Sequence, residues 1–176
     1  MAIPETDHAR YFGPDVVAGQ AMVSIHQHIH ENEVGLALSE LSDLLRAFPR
    51  FAPAYNTLGW LYANPLESPR QALVCYRRAL ALDPAYPPVY FNLLVALNTL
   101  GLSSEIPALV ERALAVPGID AGKIYHQLGI MFEVARDYAQ AERCYEEAIQ
   151  ATLSLPELES FEAALQRCQD KAQRSK

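Results

Sequence analysis

Residues 25–33, IHQHIHENE, place three histidines at alternate positions ahead of two carboxylates. Imidazole nitrogens and carboxylate oxygens are ligands that zinc binds in proteins. On a helix, His26 and His30 lie one turn apart, whereas His28 is rotated by about 200° from each of them. The three rings therefore cannot meet at one ion, and Glu33 sits at or beyond the predicted helix end. The pattern predicts no metal site; His26 and His30 are the candidates if one exists.

Other chemistry has less support in the sequence. The chain has no phosphate-binding loop, HExxH, GxSxG or glycine-rich dinucleotide turn, and it contains 8 glycines. A catalytic group would have to be assembled in space from His126, Glu133 and the histidine pair, and no spacing favours that arrangement. We therefore expect no enzymatic activity and no cofactor.

Composition restricts the partners. The 176 residues carry a formal net charge of -7 with 51% hydrophobic residues, so a core can form while nucleic acid and anionic lipid are repelled. No leader pattern and no apolar run of roughly 20 residues appears, which predicts no membrane insertion and a cytoplasmic protein. Cys75, Cys144 and Cys168 lack CxxC spacing and are expected to be core thiols in a reducing compartment.

An internal repeat organises the chain. Four sets of residues recur at steps of 34 or 35: Tyr55, Tyr90 and Tyr125; Leu58, Leu93 and Leu128; Tyr62, Leu97 and Phe132; Ala79, Ala113 and Ala148. Within each copy the apolar residues follow helical spacing, and no segment alternates with period two. Each copy is therefore predicted to be a pair of helices, and the fold is predicted to be all-α.

The repeat resembles the tetratricopeptide repeat (TPR) family. Residues 55–62, YNTLGWLY, and residues 125–132, YHQLGIMF, match its W-x2-L-G-x2-Y pattern with tyrosine in place of tryptophan. The middle copy departs, because Leu94 replaces the small residue and Val110 replaces the later aromatic. The first copy matches only on its second helix, and counting back from Pro49 places its first helix near residues 15–31. His28 then takes the position of Tyr62 and Phe132.

The resemblance implies a right-handed superhelical solenoid of about four helix-turn-helix repeats plus a C-terminal capping helix. The predicted organisation is a polar N-terminal segment at residues 1–17, a TPR array at 18–155 and a capping helix and tail at 156–176. The repeats are placed at about 18–51, 52–86, 87–121 and 122–155. In the last segment, an apolar stripe lies on one face of an otherwise polar helix: Leu158, Phe161, Leu165, Cys168 and Ala172.

The family binds its ligands in a concave groove, and carrying over its groove positions predicts a partner-binding site. The residues at these positions are Met22, His26, His30, Asn56, Trp60, Phe91, Val95, Asn98, His126, Ile130 and Glu133. Trp60 and Phe91 are the expected anchors because large aromatic side chains dominate interface energies, although either equally suits core packing. Only Lys123 is basic, so we predict no clamp for the acidic tails of heat-shock chaperones.

The sequence thus predicts a non-enzymatic scaffold that binds a peptide segment or helix of another protein. Two alternatives stay open. The first is a structural protein that self-assembles into homo-oligomers through the apolar surface of the same groove or through exposed repeat ends. The second is a secretion-type chaperone, which small acidic TPR proteins of this length resemble in size and charge.

Overall fold

The computed structural model describes residues 14–175, and this part of the chain contains α-helices and no strand. The helices are α1 Pro14–His30, α2 Val34–Ala47, α3 Ala52–Ala63, α4 Pro69–Leu82, α5 Pro87–Thr99, α6 Ile106–Leu114, α7 Ala121–Val134, α8 Tyr138–Ala151 and α9 Leu155–Arg174. A 3₁₀ turn, Ser103–Glu105, precedes α6. The all-α prediction is confirmed, and α1 agrees with the predicted 15–31 to one residue at each end. Most of the polar segment predicted at 1–17 lies outside the described residues.

The chain divides into two compact units at the boundary between Tyr86 and Pro87. In the first unit, α1 packs on α2 and α3 packs on α4, with α2 also contacting α3. In the second unit, α5 pairs with α6 and α7 with α8, while α5 also packs against α7 and α9 against α8. Within residues 14–175, no helix has the length and apolar character needed to cross a membrane.

The turn inside each helical hairpin has a backbone conformation that recurs from repeat to repeat. Each turn has one residue with a left-handed backbone: Asn32, Glu67, Gly101 and Arg136, with φ of 60°, 47°, 68° and 61°. The next amide then donates back to a carbonyl near the end of the first helix, as in Glu33 to His28, Leu102 to Leu97 and Asp137 to Phe132. His28 therefore occupies the backbone position of Leu97 and Phe132, which confirms the predicted phase of the first copy.

Two glycines allow the helices of a hairpin to approach closely. A Cβ added at Gly59 would lie 2.5 Å from the ring of Tyr76, and one added at Gly129 would lie 2.4 Å from the ring of Tyr145. Both tyrosines are buried, so neither ring can move aside easily. The glycine and the aromatic of the family pattern are thus two halves of one contact. The middle copy changes both residues of this contact: Leu94 and Val110 occupy the two positions, and both are buried.

The cysteines have the environment of core residues. Cys75 and Cys168 are buried, Cys144 is half-buried, and none forms a disulfide. Burial raises the pKa of the Cys75 and Cys144 thiols to about 11. Because the thiolate is the nucleophilic form, these two groups are unreactive near neutral pH.

Candidate partner-binding site

In the first unit, the predicted groove residues separate into exposed and buried sets. His26, His30 and Trp60 are exposed, and the Trp60 side chain retains 39% of its accessible surface. Met22 keeps only 6% and lies in the core formed by α1, α2 and α3. Asn56 is also buried. Met22 and Asn56 therefore do not offer their side chains to a partner, because both are buried.

Trp60 is the single tryptophan, so its fluorescence reports on one position. We expect acrylamide to quench this fluorescence efficiently in the folded protein, because the indole is partly exposed. The same titration in denaturant supplies the fully accessible reference. A native protein that resists quenching would place Trp60 in the core instead, which was the other expectation for this residue.

In the second unit, the facing ends of α5 and α7 form the carboxyl-end hollow, with a volume of about 440 Å³. It is lined by Val95, Asn98, Thr99, Gly101, Ser103, Gln127, Ile130, Met131, Val134 and Ala135. Three of the predicted groove residues, Val95, Asn98 and Ile130, therefore meet here. The Asn98 side chain donates to the main-chain oxygen of Gln127 at 3.1 Å and ties α5 to α7. The lining is apolar with amide and hydroxyl groups, and none of its side chains is charged.

The opposite ends of α5 and α7 form the amino-end hollow, with a volume of about 370 Å³, and Phe91 lies in its lining with Lys123. Lys123 is already paired, since its Nζ lies 2.9 Å from Asp120 Oδ2 and 2.8 Å from Glu157 Oε1. These hydrogen bonds, the one to Glu157 first, raise the pKa of Lys123. A carboxylate ligand would have to compete with two carboxylates that the chain supplies itself.

Helix α9 contacts two of the predicted groove residues, His126 and Glu133. The ring of His126 stacks on Phe161 of α9, with centroids 4.7 Å apart. Burial, with Arg167 nearby, lowers the pKa of His126, which favours the neutral ring. Glu133 keeps only 8% of its accessible surface. His126 and Glu133 therefore both contact the C-terminal helix; Glu133 is buried and not available in the groove, whereas His126 stays half-buried.

The Glu133 carboxylate joins three helices. Tyr145 on α8 donates its hydroxyl to Oε2 at 2.6 Å. From α9, Arg167 donates through Nε at 3.1 Å and through a second nitrogen at 2.9 Å, and Lys171 donates through Nζ at 2.8 Å. The hydrogen bonds from Arg167, aided by Lys171 and Tyr145 and opposed by burial, lower the pKa of Glu133 to about 2. The group is ionised and fully bonded at neutral pH.

Comparison with known proteins identifies one repeat by its sequence. The model of the tetratricopeptide repeat family matches residues 52–86, which include the Gly59–Tyr76 contact. Residues 52–86 are therefore a tetratricopeptide repeat. No curated protein matches the sequence.

Solved structures share the TPR fold at low sequence identity. PilW, a widely conserved type IV pilus biogenesis factor, is 16% identical with a TM-score of 0.72, covering 88% of this chain and 78% of PilW. PilF of Pseudomonas aeruginosa is 18% identical with a TM-score of 0.73, covering 93% and 78%. A thermophilic TPR protein of Thermus thermophilus is 17% identical with a TM-score of 0.66, covering 92% and 95%.

The family pattern did not predict some of the residues that line or support the site. Gln127, Met131 and Ala135 line the carboxyl-end hollow beside the predicted positions; they follow from the tilt between α5 and α7, which no spacing encodes. Arg167 and Lys171 had a usable signal, because two cations four residues apart on α9 share one face of the helix. That signal indicates an acidic partner without identifying it as Glu133.

Proposed function

We propose that this TPR protein is a non-enzymatic scaffold that binds a segment of another protein across the α5–α7 face. The observation that supports the proposal is the carboxyl-end hollow, an uncharged apolar depression bordered by amides and hydroxyls. Such a surface accepts an apolar side chain while hydrogen-bonding the main chain around it. Val134, at 80% exposure on the edge of this hollow, adds apolar surface that a partner would cover.

The proposal assigns separate roles to the predicted residues. Val95 and Ile130 contact the inserted side chain, and Asn98 holds the hollow in shape through its bond to α7. Phe91 in the amino-end hollow is a second anchor. Trp60, His26 and His30 are exposed in the first unit and form a further contact surface for the same partner or a second one.

The test uses two exposed valines that differ in location. Val134→Glu places a charge at the edge of the hollow, whereas Val74→Glu places the same charge on α4, where Val74 is 67% exposed. We expect Val134→Glu and Ile130→Glu to weaken partner capture at least about tenfold, equivalent to roughly 1.4 kcal/mol. Val74→Glu should bind like the wild type, and circular dichroism verifies that each variant is folded.

A photo-crosslinking amino acid at position 134 or 74 then tests contact directly. The proposal requires a crosslinked partner at position 134 and none at position 74. Equal capture by all variants, together with crosslinking that does not distinguish the two positions, would exclude the hollow as the binding surface.

Homo-oligomeric assembly is a second candidate function. Leu153 and Leu155, in and just after the turn between α8 and α9, are both exposed, Leu153 completely so. Adjacent exposed leucines are a feature of contact surfaces. Light scattering on the wild type and on a Leu153→Ser, Leu155→Ser variant tests this candidate: a wild-type oligomer that becomes a monomer supports it, and a wild-type monomer at high concentration rejects it.

We also propose a cytoplasmic location. The support is that Cys75, Cys144 and Cys168 are all free thiols, and that two of them, Cys75 and Cys168, are buried in the core. Cell fractionation with a marker for each compartment tests this part of the proposal.

A further inference from the structure

The turn between α1 and α2 brings one histidine and two carboxylates together. Ligand atoms of His28, Glu31 and Glu33 all lie within 4.8 Å of one another, and no other such group of three occurs within the described part of the chain. The left-handed residue Asn32 produces this arrangement, because it reverses the chain and returns Glu33 to His28. The Glu33 amide donates to the His28 carbonyl at 2.7 Å, and Glu33 Oε2 lies 2.6 Å from His28 Nδ1.

Residues outside this group orient two of its members. The other ring nitrogen of His28, Nε2, lies 3.2 Å from Glu40 Oε1 on α2, and that oxygen also accepts from Ser24 Oγ at 3.2 Å. Gln27 Nε2 donates to Glu31 Oε1 at 3.0 Å. A carboxylate on the distal nitrogen of a histidine is the arrangement that sets ring orientation and basicity in zinc sites. The His28–Glu40 contact supplies it here, with Nδ1 directed at the carboxylates.

We propose that His28 Nδ1 and the carboxylates of Glu31 and Glu33 bind a divalent transition-metal ion of the zinc class. One nitrogen and two oxygen ligands suit Zn²⁺ better than Mg²⁺ or Ca²⁺, which prefer oxygen alone. Three protein ligands leave a coordination position for water or for a group from another molecule. The proposal does not depend on the proposed interaction function.

The distances are compatible with this assignment after small side-chain movements. Zinc–ligand bonds of about 2.0–2.2 Å place tetrahedral ligand atoms roughly 3.3 Å apart. The Glu33 carboxylate must therefore withdraw slightly from His28 Nδ1, and the Glu31 carboxylate oxygen must approach it. Both glutamates are exposed, so their side chains can adjust without moving the backbone. Binding through Nδ1 requires this nitrogen to be unprotonated, so a proton on it in the metal-free form leaves to solvent when the ion binds.

His26 and His30 provide the matched control on the same helix. Both are exposed on α1, and neither belongs to the described group of three ligands. An exposed pair of histidines one turn apart can bind zinc weakly without any third ligand. Variants of His28 and variants of His26 and His30 therefore distinguish the three-ligand site from weak zinc binding by the exposed pair, since all three histidines lie on one helix.

The experiment is calorimetric titration of the tag-free full chain with ZnCl₂ near neutral pH, after removal of bound metal with a chelator. We expect saturable binding of one ion. His28→Gln and the double variant Glu31→Gln, Glu33→Gln should weaken it at least about tenfold, and Glu40→Gln by roughly 10- to 100-fold. The double variant His26→Gln, His30→Gln should bind zinc like the wild type. Nuclear magnetic resonance of the histidine rings should show His28 as the ring that zinc perturbs.

Three results would overturn the proposal: absence of saturable zinc binding, loss of binding in the His26→Gln, His30→Gln variant with retention in His28→Gln, or a His28 Nδ1 that carries a proton at saturating zinc. Circular dichroism verifies folding. If His28→Gln fails to fold, the Glu31→Gln, Glu33→Gln variant decides, because both side chains are exposed.

Discussion

Gly59→Leu should destabilise the protein by about 3 kcal/mol or more, at the upper end of the cost of overpacking a core. The reason is the contact between α3 and α4, where a Cβ at position 59 would lie 2.5, 2.7 and 3.0 Å from three ring atoms of Tyr76. That ring is 2% exposed and has no free space to occupy. Urea denaturation followed by circular dichroism and Trp60 fluorescence measures the loss.

The third repeat suggests how to reverse this effect. It carries Leu94 and Val110 where the second carries Gly59 and Tyr76, and both residues are buried. Adding Tyr76→Val to Gly59→Leu should therefore recover much of the lost stability, giving a coupling energy of roughly 1–3 kcal/mol between the two sites. Strictly additive effects would mean that the leucine and valine of the third repeat do not compensate each other.

A second glycine is the control for helix propensity. Gly19 lies in α1, and a Cβ added there would meet nothing within 4 Å. Gly19→Ala should therefore stabilise the protein by up to about 1 kcal/mol, since alanine is the better helix former. If Gly59→Leu and Gly19→Ala shifted stability in the same direction, close helix packing would not be the reason for the glycine at position 59.

Glu133→Ala should cost about 3 kcal/mol and loosen helix α9. The substitution leaves the buried Tyr145 hydroxyl without its acceptor, and it leaves Arg167 and Lys171 without their shared carboxylate. The cost falls at the low end of the range for broken buried ion pairs, because the two cations are half exposed and water can solvate them. Hydrogen exchange in residues 155–174 should accelerate more than exchange in the first unit.

The same carboxylate predicts a pH dependence. The folded pKa of Glu133, about 2, is below its ordinary value of 4.5, so folding favours the ionised form. The stabilisation is complete above about pH 4.5 and disappears as pH falls towards 2; the pKa difference corresponds to roughly 3 kcal/mol. The wild type should therefore lose more stability over this range than Glu133→Gln does.

An exposed ion pair is the control for the Glu133 predictions. Arg46 lies 2.6 Å from Asp43, and both side chains are exposed. Asp43→Asn should change stability by less than about 0.5 kcal/mol, because solvent screens such pairs. A comparable loss in Asp43→Asn and Glu133→Ala would show that burial of Glu133 is not what makes its network strong.

Local patterns predicted the helices and their phase. The spacing of Tyr55, Leu58, Gly59 and Tyr62 on one side and Tyr76 on the other is determined by helix geometry and by one close contact, and both lie within a single hairpin. The same kind of local spacing predicts the repeat positions of the degenerate first copy, and the turn hydrogen bond to the His28 carbonyl confirms this prediction. Such features are readable because the residues that make them are neighbours in sequence.

The sequence by itself determined that the chain is all-α and is built from tetratricopeptide-type hairpins. It also determined which residues occupy equivalent positions in successive repeats. Only the tertiary structure decided what each position faces. Met22 is covered by α2 and α3, Glu133 is bonded to α9, and His126 stacks on α9, although all three occupy positions that line a groove in the family. His28, not His26 or His30, meets the carboxylates, because Asn32 reverses the chain. Helical periodicity gives the direction of a side chain, whereas its neighbours come from distant segments whose packing no local pattern encodes.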